Sequence, residues 1–207
     1  MSNYNEKYYI VFEKHSDDTL YLVTHDRSDY RNYEYTKLVY GEPMFFENSY
    51  KDKDLIRGVS RPIKKAHLDV TYPIVSDEIK RSLGEVENRT FQFYPSIIVD
   101  DKGGYHDDYW VFNVFNQLDA LDLDKCRIDD FDPDESCHDI EKYFLSSEKL
   151  SLIPESERLV FMPDYSDVGH VMVHESLVKV FKDHNVDTLN FVKVSDWVMG
   201  YQFRDKA

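Results

Sequence analysis

The sequence predicts an α+β fold with mixed or antiparallel sheets, in which two short helices each lie between two strands. Two segments carry this same order of elements, and they align when residue n is laid on residue n+98. In this alignment Ile79 and Leu83 fall on Leu177 and Phe181. Few aligned residues are identical, so the similarity fits either an internal duplication or two ordinary segments that share a pattern.

The two helices are predicted from capping residues and apolar spacing. Ser76 is a suitable N-cap for a helix over residues 77–83, and Gly84 fits the position just after its end. The second helix, over residues 175–183, has apolar side chains at helical spacing, and Asn185 is suited to close it.

Strands are predicted where β-branched and aromatic residues cluster. Such runs occupy residues 7–12, 20–24, 72–75, 90–99, 109–115, 171–173 and 189–194. The first two runs predict a hairpin or two neighbouring strands. Pro95 predicts an edge strand or a bulge, because proline has no N–H to donate to a sheet. Residues 100–104 predict a turn, whereas 26–35 and 47–61 lose the periodicity and predict loops or adaptable surface segments, which are exposed candidates for contact with a partner.

Length and composition predict a chain that folds without crosslinks. The 207 residues are 42% hydrophobic, and a chain of this size buries roughly 70% of its unfolded surface. We expect a β-rich extension over residues 1–71 packed on a core over residues 72–207, in one globular unit. The sequence has no apolar run of membrane-spanning length, no signal peptide and only two cysteines. These features predict a cytoplasmic protein.

The chain is strongly acidic, with 40 acidic and 25 basic residues and a net charge of -15. A field of this sign repels phosphate backbones and attracts basic surfaces, so we expect a basic protein partner and no direct nucleic-acid binding. The same charge would also serve solubility alone.

One segment has part of the spacing of a calcium-binding loop. Asp130, Asp132 and Asp134 occupy loop positions 1, 3 and 5, and Glu141 occupies position 12. Position 6, which requires glycine for a sharp turn, is Glu135. A metal-binding module or a metal-assisted enzyme is therefore the alternative reading, and a solvated acidic loop is the preferred one.

Other residues do not build a case for an enzyme or for a cofactor. Cys126, Cys137 and His138 lack a fourth zinc ligand nearby, and no C-x-x-C pair is present. His106 and His174 are each followed by carboxylates, but adjacent residues on a strand point to opposite faces. The sequence also lacks a nucleophile elbow, a phosphate-binding glycine loop and an H-E-x-x-H motif.

Five segments in a fixed order carry a resemblance to a known family. They are YPIVSDEIK (72–80), TFQFYPSII (90–98), YWVFNVFNQLDALDLDKC (109–126), ERLVFMPDYSDVGHVMVHESLVKVF (157–181) and DTLNFVKV (187–194). The most specific piece is the N-V-x-N-x-x-D-A-L-D string at residues 113–122. Over residues 72–197 the chain resembles bacterial immunity proteins of polymorphic and secreted toxins, the family numbered eleven.

The resemblance implies a protein that binds and neutralises a cognate toxin domain, such as a nuclease delivered by a secretion system. It contributes no catalytic residues. Asn113, Asn116, Asp119 and Asp122 match its central string, and we expect them to have structural roles.

Two exposed acidic segments are the predicted partner-binding surfaces. We call residues 100–108 the acidic turn and residues 129–135 the acidic loop. Their carboxylates would pair with lysine and arginine of the toxin, and Tyr105 would bury against it. The predicted contact residues are Asp100, Asp101, Tyr105, Asp107, Asp108, Asp129, Asp130, Asp132, Asp134 and Glu135.

Overall fold

The computed structural model describes residues 3–29, 31, 35–39, 41–69, 72–84 and 90–203. The strands are β1 (Tyr8–Glu13), β2 (Leu22–Thr24), β3 (Met44–Asn48), β4 (Ala66–Asp69), β5 (Tyr72–Ser76), β6 (Phe91–Val99), β7 (Tyr105–Val114), β8 (Gln117–Leu118), β9 (Arg127–Ile128), β10 (Ile140–Lys142), β11 (Val160–Pro163), β12 (Met172–His174) and β13 (Leu189–Lys193). The α-helices are α1 (Lys51–Arg57), α2 (Asp77–Gly84), α3 (Ser147–Ser151) and α4 (Glu175–Asp183). The predicted α+β fold class is confirmed.

The larger sheet has six strands in the order β2-β3-β6-β7-β5-β4. Its neighbouring strands are antiparallel except β3 and β6, which run parallel with Met44 opposite Ser96. The outer strands approach each other, and the Thr24 hydroxyl of β2 donates to the Asp69 carboxylate of β4 at 3.4 Å. The sheet is therefore nearly closed and barrel-like.

The second sheet has five strands in the order β13-β1-β12-β11-β8. Strand β1 lies inside this sheet and is antiparallel to both neighbours, with Tyr9 opposite Val173 on one side and Lys193 on the other. The short strand β8 runs parallel to β11 at the edge. Residues 1–71 therefore supply one strand to this sheet and three strands, β2 to β4, to the larger one.

The two sheets share an arrangement of four antiparallel strands, β4-β5-β7-β6 in one and β11-β12-β1-β13 in the other. In the larger sheet, β7 lies between β5 and β6, the two strands that flank α2 along the chain in one strand–helix–strand unit. In the five-stranded sheet, β1 lies between β12 and β13, the two strands that flank α4 in the other unit. Both inserted strands are antiparallel to their neighbours. The inserted strand β7 follows its unit along the chain, whereas β1 is the first strand of the protein. Both predicted units are present, and they share this topology.

Equivalent tyrosines lie on the two inserted strands. Tyr109 of β7 is opposite Ser76, and Tyr8 of β1 is opposite His174, in both cases the last strand residue before the helix. Each buried tyrosine donates its hydroxyl to a backbone carbonyl of the preceding connection, Tyr109 to Lys64 at 2.9 Å and Tyr8 to Arg158 at 2.8 Å. These bonds join each inserted strand to the segment that leads into the outer strand of its four-strand arrangement, β4 or β11.

Helices α2 and α4 pack against one apolar core that also takes side chains from both sheets. Ile79 and Leu83 of α2 and Leu177 and Phe181 of α4 are buried in it, as the apolar spacing predicts. Asn185 ends α4 with a positive φ of 54°. A second core lies on the other face of the five-stranded sheet, where it is covered by the chain between β8 and α3 and by Trp197.

Two sequence predictions about the N-terminal half are wrong. Strands β1 and β2 exist where they are predicted, but they belong to different sheets and do not form a hairpin. Residues 47–61 are not a loop, because they include the end of β3 and the whole of α1. Of the other predicted loop, residues 30 and 32–34 lie outside the described residues.

Pro95 lies in an interior strand rather than at an edge, and the predicted bulge is present as a register shift between Ser96 and Ile98. Strand β3 pairs with β6 only from Ser96 onward, so the missing N–H of Pro95 does not interrupt that ladder. Ser76 does not act as a cap, since its buried hydroxyl has no hydrogen-bond partner among the described residues. Gly84 is the last residue of α2 rather than the residue after it.

An acidic side chain points into the region between the sheets. On β1, Glu13 follows Tyr9 and Val11 in the alternation that faces the shared core. Its Oε1 atom is buried and has no hydrogen-bond partner among the described residues. Burial, with a smaller effect from the Asp69 carboxylate, raises the pKa of Glu13 to about 8. The carboxyl group is therefore protonated in the folded protein at neutral pH.

Replacing this carboxyl with an amide should stabilise the protein increasingly as pH rises. The unfolded chain loses the Glu13 proton near its ordinary pKa, so folding takes up a proton between pH 4.5 and about 8 and stability falls. We expect Glu13→Gln to raise the free energy of unfolding by on the order of 1 kcal/mol at pH 8 and by little at pH 5. Denaturant titrations at both pH values measure this, with exposed Glu135→Gln as control. A gain independent of pH would contradict it.

Candidate functional site

The acidic turn joins β6 to β7 and is held by the carboxylate of its first residue. Asp100 accepts hydrogen bonds from the backbone N–H of Lys102 at 2.9 Å and of Gly104 at 2.8 Å. Its other oxygen lies 3.1 Å from His106 Nε2. The His106 contact and the two N–H bonds hold the pKa of Asp100 below its usual range. Asp100 therefore shapes the turn and remains ionised.

The other predicted contact residues of the turn are exposed. Asp101, Asp107 and Asp108 lie at the surface, and Tyr105 is 63% exposed. The Tyr105 ring stands edge-on to the buried ring of Phe45, with centroids 6.2 Å apart. One side of Tyr105 is thus supported by the sheet, while most of its ring remains available to a partner.

A buried polar network fixes the acidic turn to α1. The Asn48 side-chain amide donates to the Asp54 carboxylate at 3.0 Å and to the Asp101 carboxylate at 3.3 Å. Asp54 is only 2% exposed, and Arg61 binds it with two nitrogens, at 2.6 and 3.2 Å. Arg61 also donates to the carbonyls of Asp17 and Thr19, both at 2.9 Å. The network connects the β1–β2 loop, α1 and the turn.

The segment after α1 lies against the same turn. Ser60, Arg61 and Ile63 line one side of an open cleft of about 430 Å³, and the other side includes Asp101 and Asp108. The Arg61 guanidinium lies 5.4 Å from the Tyr21 ring centroid. The pKa of Arg61 is raised, mainly by its hydrogen bonds to the Asp54 carboxylate. Burial opposes this rise, and neighbouring negative charges add to it. Arg61 is thus a fixed structural cation.

Helix α1 has an inverted distribution of side chains. The buried residue is the acid Asp54, whereas Leu55 is 79% exposed and Ile56 is 86% exposed. Val59, just after the helix, is also exposed, and we call these three residues the α1 ridge. Gly58, at φ 66°, ends the helix, and the Val59 N–H donates to the Asp54 carbonyl at 2.9 Å. The sequence indicates residues 47–61 as an exposed candidate for a partner but not as a helix, so it does not reveal that Leu55 and Ile56 form an apolar ridge.

The acidic loop connects β9 to β10 and is exposed along its length. Asp129, Asp130, Asp132, Asp134 and Glu135 all lie at the surface. The Asp132 carboxylate accepts from the Asp134 N–H at 2.9 Å, which forms a local turn, and Asp130 has a positive φ of 45°. The loop therefore presents several carboxylates to solvent from a defined turn.

Exposed apolar side chains lie beside these carboxylates. Phe131 projects from the loop with 54% exposure, and its ring centroid is 4.8 Å from that of buried His138. The His138 N–H donates to the carbonyl of Tyr165 at 2.9 Å, which places the 165–168 segment next to the loop. Tyr165 and Val168 are exposed there. The loop thus combines exposed carboxylates with aromatic and aliphatic surface.

The calcium-like spacing is not matched by a cluster of ligands. Among the described residues, no group of three or more His, Cys, Asp or Glu side chains is placed to hold a metal ion. Cys126 and Cys137 are free thiols, and burial raises the pKa of Cys126. The alternative function considered from the sequence, a metal-binding module at residues 130–141, therefore gains no geometric support from the described residues.

The two histidine–carboxylate neighbours have structural partners. His106 contacts Asp100 across the turn. The ring of His174 caps α4, where its Nδ1 accepts from the Ser176 N–H at 3.4 Å and lies 2.9 Å from the Ser176 hydroxyl. Burial lowers the pKa of His174. Both rings therefore make contacts that shape the local fold.

The polar residues of the central string make internal contacts, as the sequence predicts. The Asn113 and Asn116 amides donate to the backbone carbonyls of Thr36 and Glu157, both at 2.9 Å. Asp119 and Asp122 form ion pairs, at 2.6 Å with Lys149 and 2.5 Å with Lys125. The contacts of Asn113, Asn116 and Asp119 connect different segments of the fold, whereas Asp122 pairs with a residue of its own turn.

No helix among the described residues is long and apolar enough to cross a membrane. Residues 42–196 match the model of the Immunity protein family (Imm11), which confirms the resemblance identified in the sequence. The matched range includes α1, the acidic turn and the acidic loop. No curated protein matches the chain.

Removing the buried carboxylate of α1 should destabilise this end of the molecule. Asp54→Ala leaves the Arg61 guanidinium, whose side chain is only 11% exposed, without its ion-pair partner, so we expect the free energy of unfolding to fall by about 3 kcal/mol. Asp52→Ala, at an exposed position on the same helix, is the matched control and should change stability by less than about 0.5 kcal/mol. Denaturant titration measures both. Equal effects would show that the network does not hold α1.

Proposed function

Because the chain belongs to the immunity protein family Imm11, we propose that it binds a cognate bacterial toxin domain and neutralises it by stoichiometric inhibition. The match over residues 42–196 is the observation that carries this proposal. Inhibition by occlusion requires no chemistry from the inhibitor, so the proposal includes no catalytic activity. It also places the protein in the cytoplasm of the producing cell, where a toxin delivered between cells by a secretion system would act.

The acidic surfaces support a basic toxin as the partner. Carboxylates on the acidic loop and the acidic turn are exposed, and the chain has a net charge of -15. A field of this sign accelerates the association of a cationic partner and repels acidic ones. Long-range attraction therefore favours encounter with a basic surface.

A nuclease is the toxin class that this chemistry fits best. The substrate groove of a nuclease carries lysine and arginine side chains that bind phosphates. Carboxylates of the acidic loop would take the places of those phosphates and form charge-assisted hydrogen bonds with the same cations. Phe131, 54% exposed among these carboxylates, would add apolar contact area at the centre of the patch.

Coexpression tests this function directly. A cognate toxin domain should arrest growth when expressed alone, and coexpression of the wild-type chain should restore growth. Purified together, the two proteins should form a complex of fixed stoichiometry. Absence of both rescue and complex formation, with both proteins folded, would exclude the proposal.

Charge reversal in the acidic loop should slow association with the toxin. Asp134 and Glu135 are exposed, so Asp134→Lys with Glu135→Lys changes charge with little effect on folding. We expect the association rate constant to fall about 10-fold at low salt and to depend less on ionic strength. Stopped-flow or surface-based kinetics at several salt concentrations measure both quantities.

The matched control reverses the same number of charges elsewhere. Glu155→Lys with Glu157→Lys alters two exposed carboxylates just before β11, outside both acidic segments and outside the network that holds α1. If the acidic loop contacts the toxin, this control should reduce the association rate much less. Equal reductions in both double variants would leave only a general effect of net charge and remove the loop from the interface.

A further inference from the structure

The α1 ridge exposes aliphatic surface that the fold does not use. Leu55 and Ile56 are adjacent and are 79% and 86% exposed, while Asp54 of the same helix is buried. A surface helix normally turns its apolar side inward and its charged side to solvent. Here the reverse orientation is imposed by the Arg61–Asp54 ion pair, with nitrogen–oxygen distances of 2.6 and 3.2 Å. Adjacent exposed apolar side chains of this kind are typical of binding surfaces.

The ridge is held in place before any partner arrives. Its helix is fixed through Asp54, which contacts Arg61 and Asn48, and it ends in a left-handed Gly58 cap. The same Asn48 amide reaches Asp101 at 3.3 Å, so the acidic turn is fixed relative to the ridge. A prearranged surface loses less conformational freedom on binding than a flexible one.

The charges around the ridge favour a cationic partner surface. Lys51 is paired with Glu47 at 3.5 Å, and the Lys53 ammonium lies 5.3 Å from the ring centroid of Tyr50. Asp52 is exposed beside the ridge, and the acidic turn contributes the exposed carboxylates of Asp101 and Asp108, which line the same cleft as Ser60 and Arg61. Lys53, Arg57 and Lys102 offset part of this charge. The border of the ridge is therefore net acidic on the side of the turn.

We infer that the α1 ridge, bordered by the acidic turn, is the apolar centre of a toxin-binding surface. The complementary surface on the toxin is an apolar groove with lysine or arginine on the side that meets Asp101 and Asp108. Tyr105, 63% exposed on the same turn, extends the apolar contact. This inference rests on the proposed function and specifies one of its contact surfaces.

A second copy of the chain fits the ridge less well than a basic toxin does. In a two-fold symmetric dimer the same patch meets itself, so the acidic turns of both copies would lie near the shared ridge. Like charges placed together in this way oppose association, and each copy carries a net charge of -15. With a basic partner, the same carboxylates attract the facing lysine and arginine side chains instead of repelling other carboxylates.

Single substitutions at the ridge test this inference. Ile56→Asp and Leu55→Asp change side chains that are already in solvent, so the variants should keep the unfolding midpoint of the wild type. We expect each to raise the Kd for the toxin domain roughly 30-fold, mainly through faster dissociation, because apolar contacts form only in the docked complex. The loss should persist at high salt, unlike an effect of charge on association.

Leu152→Asp is the matched control, since Leu152 is 81% exposed at the end of α3 and lies outside both acidic segments. It should leave the Kd unchanged. If the wild type binds the toxin and the ridge variants bind equally well, the inference fails while the proposed function stands. If the wild type binds no toxin, the proposed function fails first. A wild-type dimer that Ile56→Asp converts to a monomer would assign the ridge to a second copy and overturn the inference.

Discussion

The insertion of β1 between β12 and β13 is the constraint on which the rest of the structure depends. The first strand of the chain has to pair with two of the last three, so the five-stranded sheet is complete only when both ends of the protein have come together. Side chains of β1 alternate between the two apolar cores, and Tyr8 also bonds to the segment just before β11. Every element that covers either face of this sheet relies on that one strand.

The same four-strand arrangement appears in the larger sheet, where β7 takes the place of β1. Its hairpin with β6 forms the acidic turn, and the parallel partner of β6, strand β3, leads directly into α1. The turn and the α1 ridge therefore come together at one end of a rigid sheet. Buried contacts of Asp54 with Arg61 and Asn48 then set the orientation of the helix. A polar network inside the fold thus accounts for apolar side chains outside it.

Local patterns sufficed to predict the elements that obey ordinary rules of helix and strand formation. Helices α2 and α4 turn apolar residues inward, and their ranges agree closely with the prediction. Helix α1 could not be found in this way, because its apolar residues face solvent and its fold-determining residue is an acid. The wrong pairing of β1 with β2 has a different cause, since β1 finds its partners more than 150 residues away. Charge alone located the two acidic segments, and whether they touch a toxin stays a prediction.

The direct test of toxin binding through these surfaces is backbone amide hydrogen exchange of the chain, measured with and without its toxin domain. If the protein inhibits by binding through these surfaces, backbone amides of residues 51–59, 100–108 and 129–139 should exchange more slowly in the complex, and the centre of the five-stranded sheet should be unaffected. Those ranges bear the α1 ridge, the acidic turn and the acidic loop. Unchanged exchange in all three ranges, under conditions where a complex forms and the toxin is inhibited, would contradict this account of how the protein works.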